Sequence, residues 1–344
     1  MAEKKYIPVI DYLKAFAICL VTTTHFFPDS EKDFALFIYV IQMGMPLFML
    51  LTGYNMAMSN SRHAFNDVKT LYAPALLKKK LGQILPSYTL MCVIEAIFCG
   101  ALVQGLPLWA WLYAYVSGGL QGGENGGYFF CVYWQFLLLG PVLYLLVKRY
   151  PRATLLGALL LDMAYEFAVG ALDLPRELNR LLFIRYLFIA TFGLYFYLWR
   201  ERVRLWLVGV GAVLSLTYIT ALEYFNLQWP LCTYWQNTCV YASFYYIAVV
   251  VLAFHFWEHK RLPEKLHKVV YEVGKSTWYI YLTQMLFFRL HWKAVLSFLP
   301  LWVQIPIGVV FCACVGIGWR HLEIRARKTW KQHRAEKTLT QQGQ

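Results

Sequence analysis

Charge is what this chain has least of. Only 15% of its 344 residues are Asp, Glu, Lys or Arg, where an average soluble domain carries about 25%. Acidic residues are the scarcer, 19 against 32 basic ones, for a net charge of +13. The eight cysteines form no Cys-x-x-Cys pair, which argues against a zinc or redox site, and no metal is expected. Most of them lie in apolar runs, where a free thiol behaves as a small hydrophobe. Cys232 and Cys239 flank one loop and would bridge only on an oxidising side. No internal repeat is visible, and no stretch between apolar runs is long enough for a second domain. Low hydrophobicity, the mark of disorder, is absent too.

Apolar residues make up 59% of the chain and aromatics 18%. A soluble protein of this size cannot hide so much apolar surface. The expected fold is therefore all-α, a polytopic membrane helical bundle. A bilayer demands runs of about 20 apolar residues. Ten such runs are found, at 8–27, 34–57, 84–104, 128–147, 153–171, 181–199, 205–224, 236–257, 276–297 and 301–320. The first is too long for a cleavable signal, carries Asp11 and Lys14, and lacks a small-residue cleavage site. The fifth is interrupted by Asp162 and Glu166.

Basic residues orient the runs. With the N-terminus inside, the inner segments hold Lys4, Lys5, Arg62, Lys69, Lys78, Lys79, Lys80, Lys148, Arg149, Arg152, Arg200, Arg202 and Arg204. They also hold Lys260, Arg261, Lys265, Lys268, Lys275 and the basic residues from Arg320 onward. The outer loops hold only Lys32, Arg176, Arg180, Arg289 and Lys293. Losing one helix would invert every later loop, so this asymmetry predicts ten helices with both termini cytoplasmic. The same bias explains the net positive charge without nucleic acid, since no soluble domain carries a basic patch. A transmembrane domain over 1–320 and a basic cytoplasmic tail over 321–344 are expected, the tail solvated and frayed and drawn to the membrane surface. The outer segment 105–127 is rich in aromatics and ends in a glycine run, a candidate lid.

Ionisable groups inside a bilayer cost roughly 2.5–3.5 kcal/mol each and need a partner or a purpose. The first run concentrates them. At 100° per residue, Asp11, Lys14, Ile18, Thr22 and His25 share one stripe. Lys14 and His25 lie about 16 Å apart along the axis, one near the cytoplasmic mouth and one in the outer half. Such a seam faces a bundle interior or a cavity. Asp11 with Lys14 also reads as a simple i,i+3 ion pair, and His25 alone as a core histidine. Glu95, Asp162, Glu166 and Glu223 are expected to pair between helices.

The segment Ile10-Asp11-Tyr12-Leu13-Lys14-Ala15, ending at His25, resembles the opening of the acyltransferase 3 family of integral membrane acyltransferases. Members there carry an Arg and a His separated by ten residues. Lys14 stands at the Arg position and His25 at the His. Further segments resemble the family in order: Met45-Pro46-Leu47-Phe48 to Thr52-Gly53-Tyr54; Lys78-Lys79-Lys80 before Leu85-Pro86-Ser87-Tyr88; Tyr133-Trp134-Gln135-Phe136 with Pro141; Arg185-Tyr186-Leu187-Phe188 with Gly193; and Ser276-Thr277-Trp278-Tyr279-Ile280-Tyr281-Leu282-Thr283-Gln284, where Gln284 replaces the common His. The likeness runs from residue 7 to about 320.

The resemblance implies transfer of an acyl group, often acetyl, from cytoplasmic acyl-CoA (acetyl-CoA above all) to a carbohydrate or glycolipid acceptor. It implies no tightly bound cofactor and a multi-pass place in the plasma (inner) membrane. It makes His25 the central catalytic residue, as general base or as an acyl relay, with Lys14 beside it in the catalytic set. Lys14, near the cytoplasmic mouth, would meet donor phosphates, as a point charge where Arg grips two oxygens. Asp11, Thr22, Arg185, Tyr281, Gln284, Lys78, Lys79 and Lys80 are the candidate substrate-binding residues. Arg185 either snorkels to the interface or faces the cavity. Tyr281 and Gln284 either line it or bond helix to helix. Lys78 to Lys80 also fit plain positive-inside charge. Two other readings stand beside the enzyme: a transporter or exporter of a glycan or lipid-linked intermediate, and a non-catalytic partner in an envelope-polymer complex.

Overall fold

The structure, a computed structural model, describes residues 6–62, 67–98, 107–118, 127–227 and 232–342. All regular secondary structure among them is helical. In chain order the α-helices are α1 (Pro8–Thr24), α2 (Ala35–Tyr39), α3 (Gly44–Arg62), α4 (Val68–Leu71), α5 (Pro74–Phe98), α6 (Leu108–Ser117), α7 (Tyr128–Arg149) and α8 (Pro151–Ala171). They continue as α9 (Arg176–Leu181), α10 (Leu187–Leu198), α11 (Leu205–Phe225), α12 (Ser243–Trp257), α13 (Glu264–Lys275), α14 (Thr277–Arg289) and α15 (Leu301–Gln342). This is a polytopic helical bundle.

Among the described residues, seven helical segments are long and apolar enough to cross a bilayer: 35–62, 68–98, 128–149, 151–171, 205–225, 236–257 and 301–330. The other three apolar runs of the sequence fall on shorter helices. α1 has 17 residues, α10 has 12 and α14 has 13. These three are also the most enclosed. α10 buries ten consecutive residues, Leu187 to Phe196. Backbone that stops short of a full span is tolerated at membrane depth where it is buried in protein or borders a cavity. By contrast α11 and α15 bury little of themselves, as lipid-facing helices do.

α3 and α10 meet backbone to backbone. A Cβ on Gly53 would lie 2.0 Å from the Ala190 carbonyl oxygen, and one on Gly193 would lie 2.0 Å from that of Leu50. Small residues of this kind let helices approach closely where lipid offers no hydrophobic drive. Tyr54 then packs edge-on against Tyr197, with Phe254 of α12 alongside. α1 runs through the middle, against α3, α12, α13, α14 and α15.

Buried charges are met across helices. Glu95 of α5 pairs with Arg289 of α14 at 2.7 Å, both fully buried. Asp162 accepts the Phe188 backbone N–H at 3.1 Å, and Glu166 lies 3.8 Å from Arg185. Glu223 accepts from Asn237. Arg289, expected in an outer loop, is therefore in the bundle. Its carboxylate partner and the Gly118 carbonyl, 2.8 Å away, make burial tolerable.

The segment expected as a tail is helical. α15 passes residue 320 without a break and continues to Gln342. The segment after Gly318 has no Gly or Pro until Gly343, and Glu323 pairs one turn on with Arg327. Arg320 holds Glu272 of α13 at 3.0 Å. The Lys78–Lys80 run likewise lies on the early turns of α5 and not in a loop, because that helix begins at Pro74. Most of the glycine run of the candidate lid, 119–126, lies outside the described residues. Its two flanks, Gly118 and Gly127, touch.

Candidate functional site

The site grows from the end of α1. The helix stops at Thr24, and His25 caps it with its own backbone N–H on Thr22 O at 3.3 Å. The imidazole lies 5.4 Å, centroid to centroid, from the Phe288 ring. Among the described residues, no protein group hydrogen-bonds either ring nitrogen of His25. Both are left for whatever enters the cavity.

That cavity has a volume of about 560 Å³. α1 contributes Val21, Thr24 and His25, and the segment after it contributes Lys32, Phe37, Gln42 and Met45. The far wall is Tyr128, Arg176, Arg180, Arg185 and Tyr186, closed by Trp235 to Thr238 and by Tyr281 of α14. Arg185 sits in a 3₁₀ turn just before α10. It faces this cavity and does not snorkel. Its Nη2 donates to Thr238 Oγ1 at 2.7 Å and to the Trp235 carbonyl at 3.2 Å, with Glu166 behind it. His25 also borders a second recess of about 440 Å³ with Phe288, His291, Lys293 and Gln304.

A smaller cavity of about 180 Å³ lies on the Lys14 side. Phe48, Leu51, Thr52, Asn55, Ile84, Phe129, Tyr133 and Trp278 line it, with Lys14 its one charged residue among those described. Lys14 is held by Asp11 at 3.8 Å. Val21, Met45 and Tyr281 line both cavities. The two spaces are thus neighbours across a waist of three side chains, with Lys14 on one side and His25 on the other. Tyr281 is set there by its stack on Trp278 and an edge contact with Phe129.

Other expected site residues lie elsewhere. Asp11 is buried outside both linings, shared between Lys14, Lys275 at 3.5 Å and the Tyr6 hydroxyl at 3.0 Å. It is an ion-pair anchor to α13. Thr22 turns its hydroxyl back to the Ile18 carbonyl at 2.9 Å and lines neither cavity. Gln284 is fully buried away from both, and its amide has no partner among the described residues. Lys78, Lys79 and Lys80 are also absent from both linings, with Lys78 and Lys79 exposed. The proposed Cys232–Cys239 bridge is not formed; both are buried thiols, and Cys232 Sγ lies 3.5 Å from Glu166.

Sequence reasoning missed Arg176, Arg180, Lys32 and Trp235 as cavity residues. Arg176 and Arg180 come from the short α9 and the other two from connections far away in the chain, and only the three cations left a trace, as the rare basic residues counted to outer loops. No group of His, Cys, Asp and Glu among the described residues is arranged to hold a metal.

A family model described as an acyltransferase domain matches residues 7–319. No curated protein and no solved structure matches the chain.

Proposed function

The chain belongs to the acyltransferase 3 family and is a membrane enzyme that transfers acyl groups other than amino-acyl groups; from that premise we propose that it carries an acyl group, acetyl foremost, from cytoplasmic acyl-CoA to a hydroxyl of a cell-envelope or exported carbohydrate. Both termini are cytoplasmic in this reading, the chain passes the plasma (inner) membrane ten times, three of those passes through short helices enclosed in the bundle, and the Lys14 cavity faces the cytoplasm. The observation that carries the proposal is the shared waist: Lys14 and His25 open onto adjacent cavities that have Val21, Met45 and Tyr281 in common.

The thioester arm is thin and mostly apolar, which suits the small aromatic-lined inner cavity. Lys14 at that end supplies a point charge for donor phosphates. The outer cavity is larger and rich in hydrogen-bonding side chains, which suits a sugar. At the waist His25 takes the hydroxyl proton as the oxygen attacks the thioester carbonyl. A C–O bond forms and the C–S bond breaks. The leaving thiolate takes the proton back from His25, giving ester and free CoA. Hydroxyls are poor nucleophiles at neutral pH, so this proton transfer carries much of the rate. The unbonded ring nitrogens of His25 favour this role over a fixed structural one.

The test is radiolabelled acetyl-CoA turnover by purified protein, with mass analysis of surface glycans from cells with and without it. Labelled ester in the wild type and none in His25→Ala supports the reading. Glycan movement without acetyl-CoA consumption contradicts it and returns the exporter. A burst of acyl-enzyme in single turnovers without acceptor contradicts the base role and returns the acyl relay.

A further inference from the structure

Four cations converge on the outer cavity: Lys32, Arg176, Arg180 and Arg185. No carboxylate is among its described lining residues. A neutral sugar needs no such set. Carbohydrate hydroxyls are recognised by mixed donors and acceptors, which Gln42, Asn237 and Thr238 already offer here. A concentration of one sign in a concave, low-dielectric wall raises the local concentration of the opposite sign.

The cations are also built into place. The Arg176 and Arg185 guanidinium carbons lie 4.8 and 4.6 Å from the centroid of the Trp235 ring. Trp235 itself has φ of +47°, a left-handed backbone that a bulky side chain adopts only under constraint. Its carbonyl accepts from Arg185 and its neighbour Thr238 does the same through its hydroxyl. One strained aromatic residue therefore organises two guanidiniums on one wall. Glu166 offsets Arg185 from behind, whereas Arg176 is exposed and at the mouth. Arginine presents a planar fork that grips carboxylate or phosphate through two oxygens.

We propose that the outer cavity of this enzyme selects an acceptor that carries an anion, a carboxylate or a phosphate, next to the hydroxyl that receives the acyl group. The inference rests on the acyl-transfer reading for the word acceptor, and on the Arg176–Trp235–Arg185 wall for the anion. Charge would hold the acceptor by its anionic substituent and leave a neighbouring hydroxyl to be presented to His25.

The experiment is equilibrium binding to the full chain in nanodiscs of zwitterionic lipid, with glucuronate, glucose 1-phosphate and glucose as probes. At least one anionic sugar is expected to bind about tenfold more tightly than glucose, the equivalent of one charge-assisted contact. Arg176→Gln is expected to remove most of that preference, and Arg176→Lys, which keeps the charge, to retain part of it. The stronger of the two anions identifies carboxylate or phosphate as the group. Equal binding of all three sugars, no binding of either anion, or an unchanged preference in a folded Arg176→Gln overturns the proposal. So does displacement of the bound anion by free CoA, which would give the cations to the donor. Anion binding as expected, with no acyl transfer to any acceptor, would leave the site standing and remove the function proposed above.

Discussion

The two cavities at the waist differ in almost every physical respect. The inner one is about 180 Å³, walled mostly by aromatic and aliphatic side chains, with Thr52, Asn55 and Thr277 among them and one lysine. The outer one is about 560 Å³ and carries four cations and several carboxamide and hydroxyl groups. A single site for one substrate would not be divided so unevenly. Two substrates of unlike shape would require it, one a slender arm and the other a bulky polar body. The comparison also explains the short helices. His25 lies just beyond the end of α1, Arg185 in the turn ahead of α10, and Tyr281 on the short α14. Helix termini bring polar groups and bent backbone to membrane depth, and they are tolerated because protein surrounds them.

Substitutions on the two sides of the waist should separate these roles. His25→Ala is expected to have the largest effect, a loss of acyl transfer of at least about a hundredfold, the usual worth of a general base. Near-normal turnover of labelled acetyl-CoA to ester by that variant would dissolve the distinction between the cavities. Met45→Trp, which fills the waist, should come next, with a fall in kcat of about tenfold or more because the reacting groups no longer align. Acceptor affinity, measured separately, should remain within a factor of two or three, about 0.5 kcal/mol. Lys14→Ala should act on the donor side alone and raise the acetyl-CoA KM by about tenfold, while Lys14→Arg restores it. A shift in acceptor KM instead would put Lys14 in the wrong cavity. Asp11 keeps Lys275 and Tyr6 when Lys14 is truncated, so the fold should tolerate the change. Thr22→Val should do least, under about twofold on either KM, since among the described residues its hydroxyl bonds only to its own helix.

Thr22 also marks what was legible in the sequence. The α1 stripe was readable because a helix repeats every 100°. Lys14 and His25 fall within about 20° of each other, and both do face cavities. Not every polar member of the stripe lines a cavity: Asp11 and Thr22 do not. Val21 lies about 20° from Lys14 on the other side, at the centre of the face, while Thr22 lies about 80° away at its edge. Thr24, about 80° from Lys14 on the Val21 side, does line the outer cavity, so the lining face is centred on Val21, an apolar residue that lines both cavities. The motif around Thr52-Gly53-Tyr54 was visible as a pattern, and its physical cause is now clear for Gly53: α10 leaves no room for a Cβ there.

The outer wall was not legible in the same way. Arg176 and Arg180 stand one turn apart on the short α9 and Trp235 on a connection far along the chain, so no single helical period relates all three, and they meet only through the packing of α7, α8 and α10 beneath them. Arg289 shows the opposite failure. Counted by position it belongs to a loop, yet Glu95 draws it into the bundle. A charge count locates individual charges poorly, because a buried partner outweighs sequence position.

The central claim is that two substrates reach His25 from opposite faces. The direct measurement is acyl transfer in sealed vesicles of one orientation, with labelled acetyl-CoA on one side and a membrane-impermeant glycan acceptor on the other. Labelled glycan should form only when acetyl-CoA is on the cytoplasmic face and the acceptor on the outer face. Equal labelling with both substrates on one side of the membrane would contradict the account.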